Sequence, residues 1–274
     1  MKSLNFAEKV THLLFIVFSV WWVILYFYYE AGLTQQNLYW AASYQAIALW
    51  GGIFGLFSSR RWGGYRSLMG RGIIYFSIGL LLQSFGQSAF SYYTTILGVD
   101  IPYPSIADIG YFGSAIFYIL GIVSIAKVAG VGVRLQNLGG KALVLLIPVV
   151  ILIFSYVFFL SSYTFDWSSP LRIFLDFGYP LGEALYVSMA ILALILSRNI
   201  LGGVMKNSLT FLMMALVMQY FAEFNFLYQA ANGTWVNGGY GDFLYTSSYF
   251  LMAIGLAKIY RALKQLETEG AIRP

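Results

Sequence analysis

The run from Ile173 to Leu196 reads IFLDFGYPLGEALYVSMAILALIL, and its reading decides the fold. It exceeds the about 20 residues that cross a bilayer as a helix at about 1.5 Å per residue. Its only charged side chains are Asp176 and Glu183. A helix on the surface of a soluble domain carries a broad polar face, which this run lacks. The two carboxylates stand two turns apart on one face, with Tyr179 and Pro180 between them. Pro180 removes a backbone donor and favours a kink. The run therefore predicts a spanning helix with one acidic, tyrosine-bearing face. Such a face suits the wall of a ligand cavity. The plainer alternative is Asp176 at a helix start and Glu183 hydrogen-bonded to a neighbouring helix.

The same test applied outward gives seven more windows: Val10–Tyr29, Leu38–Phe57, Ile73–Tyr93, Ile106–Ala126, Ala142–Leu160, Leu209–Tyr228 and Phe243–Tyr260. The chain of 274 residues is 59% hydrophobic and only 10% charged. With soluble domains at about 25% charged, that much apolar surface calls for lipid as the solvent. Aromatic residues crowd the span ends, as at Trp21, Trp22, Tyr26 and Tyr28, in keeping with interfacial anchoring. There is no cysteine, which excludes disulfides and thiolate metal sites. Lys2 and Lys9 precede the first run without a small-x-small cleavage site, so that run reads as a retained span rather than a signal peptide.

The net charge of +5 is distributed by topology. With eight spans, all of the 16 Lys and Arg except Arg172 fall on one side, in the termini and alternate loops. The positive-inside rule then places both termini in the cytoplasm of a multi-pass protein of the cell membrane. No nucleic-acid partner is needed to explain the basic excess.

The chain also repeats itself. Asp108, Tyr111, Ser114 and Gly121 recur with the same spacing as Asp242, Tyr245, Ser248 and Gly255. Gln83-Ser-Phe-Gly-Gln87 matches Gln219-Tyr-Phe-Ala-Glu223, and Tyr44 matches Tyr179. Ser59-Arg60 followed by Gly63-Gly64 matches Ser197-Arg198 followed by Gly202-Gly203. The offsets lie between 134 and 139 residues. The expected architecture is an all-α bundle of eight transmembrane helices in two parallel four-helix repeats, 1–133 and 134–274. The repeats would be related by a pseudo-twofold axis along the membrane normal.

Polar groups within a bilayer are costly and mark candidate sites. Glu183, Glu223, Gln219, Gln83 and Gln87 are expected to line a cavity between the units, in its outer half. Gln219 and Glu223, four apart, face one way, as do Gln83 and Gln87. The alternative for this set is interhelical hydrogen bonding. Asp108 follows Pro104-Ser105 and reads as the third residue of a helix capped by Ser105, with Asp242 in the same part. With Tyr111 and Tyr245 these two would border the cavity mouth; Asp176 and Tyr179 complete the ligand-binding set. Bis-histidine haem is excluded by a single histidine, His12, and a retinal Schiff base by the lack of a lysine within a span apart from Lys258 at one end. No catalytic residues, metal ligands or cofactor are expected.

The run Ile101-Pro-Tyr-Pro-Ser-Ile-Ala-Asp108-Ile-Gly-Tyr111, taken with Asp176-Phe-Gly-Tyr-Pro-Leu-Gly-Glu183, resembles a multi-span membrane sensory region. Such regions precede diguanylate cyclase or histidine kinase domains in bacterial signalling proteins. The resemblance implies sensing, here without an output domain after the last span, so that signalling would pass to a cytoplasmic partner. The expected function is a non-enzymatic membrane sensor or ligand-binding module, with Arg261–Glu269 as an amphipathic output tail. The partners this implies are membrane lipids, a cytoplasmic signalling protein and a second copy of the chain. The alternatives are a small-solute or ion transporter or channel using the intramembrane carboxylates, and a structural subunit of a membrane assembly.

Overall fold

A computed structural model describes residues 4–28, 34–128, 138–161, 163–197 and 204–268. Lys2, Arg134, Arg198, Gly202, Gly203, Arg273 and the expected boundary between 133 and 134 lie outside the described residues.

The described residues are all-helical. Helix α1 spans Phe6–Tyr28, α2 Gln35–Ser43, α3 Ala46–Arg61, α4 Leu68–Ser91 and α5 Ala107–Val128. Helix α6 spans Leu138–Ser155, α7 Pro170–Ser197, α8 Val204–Ala231 and α9 Tyr240–Thr268. Single π turns, Tyr92–Leu97 and Tyr156–Leu160, extend α4 and α6. Six helices among the described residues are long and apolar enough to cross a membrane: Phe6–Tyr28, Leu68–Leu97, Ala107–Val128, Lys141–Leu160, Pro170–Leu196 and Met205–Ala231. Their outer surface suits lipid. On α1, Leu13, Ile16, Val20 and Ile24 are exposed, as are Leu145, Leu146, Val150 and Ile153 on α6.

The other two expected windows behave differently. Leu38–Phe57 is divided between α2 and α3 at Tyr44 and Gln45, leaving helices of 9 and 16 residues. Gln45 holds the joint: its amide donates to the Ala42 carbonyl at 2.9 Å and its oxygen accepts from Ser84 and Ser88. The window Phe243–Tyr260 lies within α9, which is long but polar, because most of it faces protein. Asp242, Thr246, Ser248 and Tyr249 are all buried there.

Small residues set the closest approaches. Along α4 and α5, Gly79 faces the Tyr118 ring and Gly110 faces the α4 backbone at Leu82 and Gly86. The two helices run antiparallel. So do α3 and α4, where Gly55 meets Ser77, and α8 and α9, where Gly255 meets Leu212. Two pairs run parallel: α3 beside α9, with Gly51 against Ala253, and α5 beside α7, with Ala115 near Gly182. The central layer buries Phe76, Leu80, Tyr118, Ile122, Leu212, Leu216, Tyr249 and Met252.

The two ends of the bundle differ chemically. One end carries the starts of α5, α7 and α9 with Asp108, Asp176 and Asp242. The other carries the start of α1 and the end of α9 and is basic. There the buried Glu8 forms an ion pair with Arg261. Glu8 and Asn5 also cap α1 reciprocally: Asn5 N donates to the Glu8 carboxylate at 2.9 Å and Glu8 N to the Asn5 side chain at 2.8 Å. Asn5 Nδ2 donates to the Ala257 carbonyl at 3.0 Å. The first helix is thereby pinned to the last.

Candidate functional site

Glu223 is the node of the polar interior. Its Oε1 accepts from Gln219 Nε2 at 2.9 Å, one turn earlier on α8, and from Gln83 Nε2 on α4 at 3.3 Å. Its Oε2 accepts from the Tyr186 hydroxyl on α7. Each glutamine is itself held. Gln83 donates to Ser114 Oγ at 2.8 Å and accepts from the Tyr249 hydroxyl at 3.0 Å. Gln219 accepts from Ser248 Oγ at 2.7 Å. Gln83, Gln219, Ser114, Ser248, Tyr186 and Tyr249 are buried. Donors without acceptors in such a place cost about 1–3 kcal/mol each, so the carboxylate satisfies several helices at once.

Glu183 lies within electrostatic reach of Glu223 but makes no hydrogen bond among the described residues, and only 3% of it is exposed. No Lys, Arg or His pairs with either carboxylate among the described residues. Glu223, Tyr111 and Tyr245 stand between helices, yet each keeps part of its surface accessible. Accessible surface on a side chain ringed by α4, α7 and α8 means that open space adjoins it.

One level nearer the Asp-bearing end, the Tyr111 hydroxyl donates to Gln87 Oε1 at 2.8 Å, and Gln87 Nε2 donates to the Ala41 carbonyl at 3.0 Å. Gln87 thus joins α2, α4 and α5 and stays apart from Glu223. Asp108 accepts from Ser105 N at 2.6 Å, the expected cap, and also from the Tyr179 hydroxyl at 2.7 Å. Asp242 accepts from Gly238 N at 2.7 Å and from the Tyr44 hydroxyl at 2.9 Å. Asp176 lies outermost. It accepts from Tyr103 and Tyr163 at 2.8 Å each, with Arg172 at 3.7 Å. Burial and the hydrogen bond to Asp176 hold the Tyr103 phenol above its ordinary pKa. Tyr163 is raised too, through desolvation and the same carboxylate. On the neighbouring loop, hydrogen bonds from Ser168 hold the Asp166 carboxyl below its usual range.

The expected residues therefore divide into levels. Gln83, Gln219, Glu223 and Glu183 gather in the middle, Gln87 and Tyr111 one step out, Asp108, Tyr179 and Asp242 further out, and Asp176 at the edge. Tyr245 sits beside Tyr249, with ring centroids 6.2 Å apart. Reading the residues singly left Tyr186 and Tyr249 out of the set. The signal was available for Tyr186, which follows Glu183 by three on the same helix face. A groove of about 450 Å³ between α6, α7 and α8 is lined by Val150, Phe154, Val187, Val217 and Phe221. It contains none of the expected ligand-binding residues. Among the described residues no three His, Cys, Asp or Glu side chains converge on a metal position. No protein family, curated protein or solved structure matches the chain.

Proposed function

We propose that this chain is a non-enzymatic membrane-embedded sensor or ligand-binding module, with its site at Glu223 and Glu183 and its output at the end of α9. The observation that carries the reading is the node itself. One carboxylate on α8 gathers donors from α4 and α7, and through Gln83 and Gln219 it reaches Ser114 on α5 and Tyr249 and Ser248 on α9. A change of charge or occupancy there alters every helix of the central layer at once. Helix α9 runs from this layer to Arg261 and on to Thr268, where a cytoplasmic partner would read its position.

We further read the bundle as eight spans in two parallel halves, with α2 and α3 together forming the second span and α9 the eighth. Two sets of contacts support this. Tyr44 of the first half holds Asp242 of the second, while Tyr179 of the second holds Asp108 of the first. Gln83 pairs with Ser114 as Gln219 pairs with Ser248. These are the residues that the repeat matches, and a twofold relation produces such reciprocal pairs. Both termini are then cytoplasmic.

The test is a distance measurement between spin labels at the basic ends of α3 and α9 in the reconstituted full chain. Glu223→Gln is expected to shift that distance while helical content is kept. An unchanged distance sinks the sensor reading. The accessible surface beside Glu223 also favours a second reading, transport. Solute or ion flux in liposomes that disappears in Glu223→Gln would establish it.

A further inference from the structure

Among the described residues, Glu183 is a buried carboxylate with no cation and no hydrogen-bond donor beside it. An ionised carboxylate taken out of water must be paired or neutralised, since its uncompensated burial costs several kcal/mol or more. Glu223 has three neutral donors. Glu183, almost fully buried one helix away, has none. The titratable groups within electrostatic reach of it are Glu223 and Tyr220 on α8, Tyr186 on α7 and Tyr245 on α9; Tyr118 on α5 lies within reach of Glu223. None of these brings a positive charge. Arg172, eleven positions earlier on α7, stands beside Asp176, and Arg261 is committed to Glu8.

We infer that Glu183 and Glu223 together bind one monovalent cation, either a proton or an alkali-metal ion. The inference rests on the reading of this position as a ligand site and names the ligand's class. Two neighbouring carboxylates resist being ionised together; one cation leaves a single negative charge, which the three donors on Glu223 support. Among the described residues no third His, Cys, Asp or Glu joins the two carboxylates. The donors on Glu223 hold that carboxylate in place, so the free oxygens of Glu183 receive the cation. The Tyr186 hydroxyl, which donates to Glu223, stands one turn from Glu183 on α7 and so places the two carboxylates near one another.

The experiment is thermal unfolding of the purified full chain in detergent, in sodium-free choline buffers between about pH 5 and about pH 9, repeated with NaCl and with KCl. A site that holds its cation only when folded loses stability as pH rises and protons become scarce, by up to about tenfold in the folding equilibrium per pH unit. If the cation is a proton, neither salt restores the loss; if it is an alkali ion, one of the salts does. Glu183→Gln, which keeps the shape and removes one charge, is expected to flatten both dependences. Equal pH and salt dependence in Glu183→Gln and the parent chain overturns the inference. Should that variant not fold, the parent chain is treated with a hydrophobic carbodiimide, which attacks protonated carboxyls in apolar sites. Modification of Glu183 that slows at alkaline pH or with added salt supports the inference, and modification indifferent to both, or none, overturns it. Cation binding without movement of α9 would defeat the sensor reading and leave this inference standing. Movement of α9 in Glu223→Gln without cation dependence would do the reverse.

Discussion

At the scale of single residues, hydroxyls of tyrosine do much of the joining. Tyr44, Tyr103, Tyr163, Tyr179 and Tyr186 each donate to a carboxylate. Those at the Asp-bearing surface titrate observably. Tyr103 and Tyr163 have folded pKa values raised above the ordinary phenol value. Their contribution to stability is therefore complete below about pH 10 and is lost as pH rises through the raised values. Absorbance titration of phenolate should show two tyrosines ionising later than the exposed ones, and Asp176→Asn should bring them back toward the ordinary value. Asp166 has the opposite sign. Its contribution is complete above about pH 4 and disappears as pH falls through the lowered value, so amide exchange at Ser168 should quicken only in stronger acid. Local pairings of this kind are legible in a sequence. Ser105 and Asp108 stand three apart at a helix start, and Gln219 and Glu223 stand one turn apart. Tyr186 and Tyr249 were not legible as partners of Glu223 and Gln83, because those contacts join helices distant along the chain.

At the scale of elements, windows of apolar residues located closely the six helices long and apolar enough to cross a membrane, since a helix facing lipid must be apolar over its whole length. The same rule fails where a helix faces protein. Helix α9 buries serine, threonine, aspartate and tyrosine against its neighbours, so its hydropathy understates its length. The joint at Tyr44 and Gln45 has neither proline nor glycine to announce it. It is fixed by Gln45 to Ser84 and Ser88 and by Tyr44 to Asp242. Helix α5 offers a controlled comparison one turn apart. A methyl group at Gly110 would lie 2.5 Å from the Leu82 carbonyl oxygen and 2.6 Å from Gly86 N, both backbone atoms that cannot step aside. At Gly113 it would meet only the Leu82 side chain, Cδ1 at 3.4 Å and Cδ2 at 4.0 Å. Gly110→Ala should lower stability by about 1–3 kcal/mol, and Gly113→Ala should leave it nearly unchanged, as read by thermal unfolding in detergent. Equal effects would show that α4 and α5 are less closely apposed than described.

At the scale of the whole molecule, the first and last helices close the bundle at its basic end through Glu8 and Arg261. Glu8 is fully buried while Arg261 is partly exposed, so removing the arginine leaves a carboxylate unpaired. Arg261→Ala should cost toward the lower end of the about 3–5 kcal/mol typical of a broken buried pair. The double variant with Glu8→Gln should recover part of that loss, and a double-mutant cycle measures the coupling. Glu8 was not legible as a paired residue, because its partner lies more than 250 positions away.

The reciprocal grip of tyrosine on aspartate has a consequence for biogenesis. Tyr44 and Glu8 are synthesised well before their partners Asp242 and Arg261, and both wait for α9. Asp108 likewise waits for Tyr179. In a membrane, the early helices would thus carry these polar groups unsatisfied until α9 is made. A chain released before α9 would expose these groups to the quality-control proteases of the membrane. Supplying α9 as a separate polypeptide should rescue it from degradation.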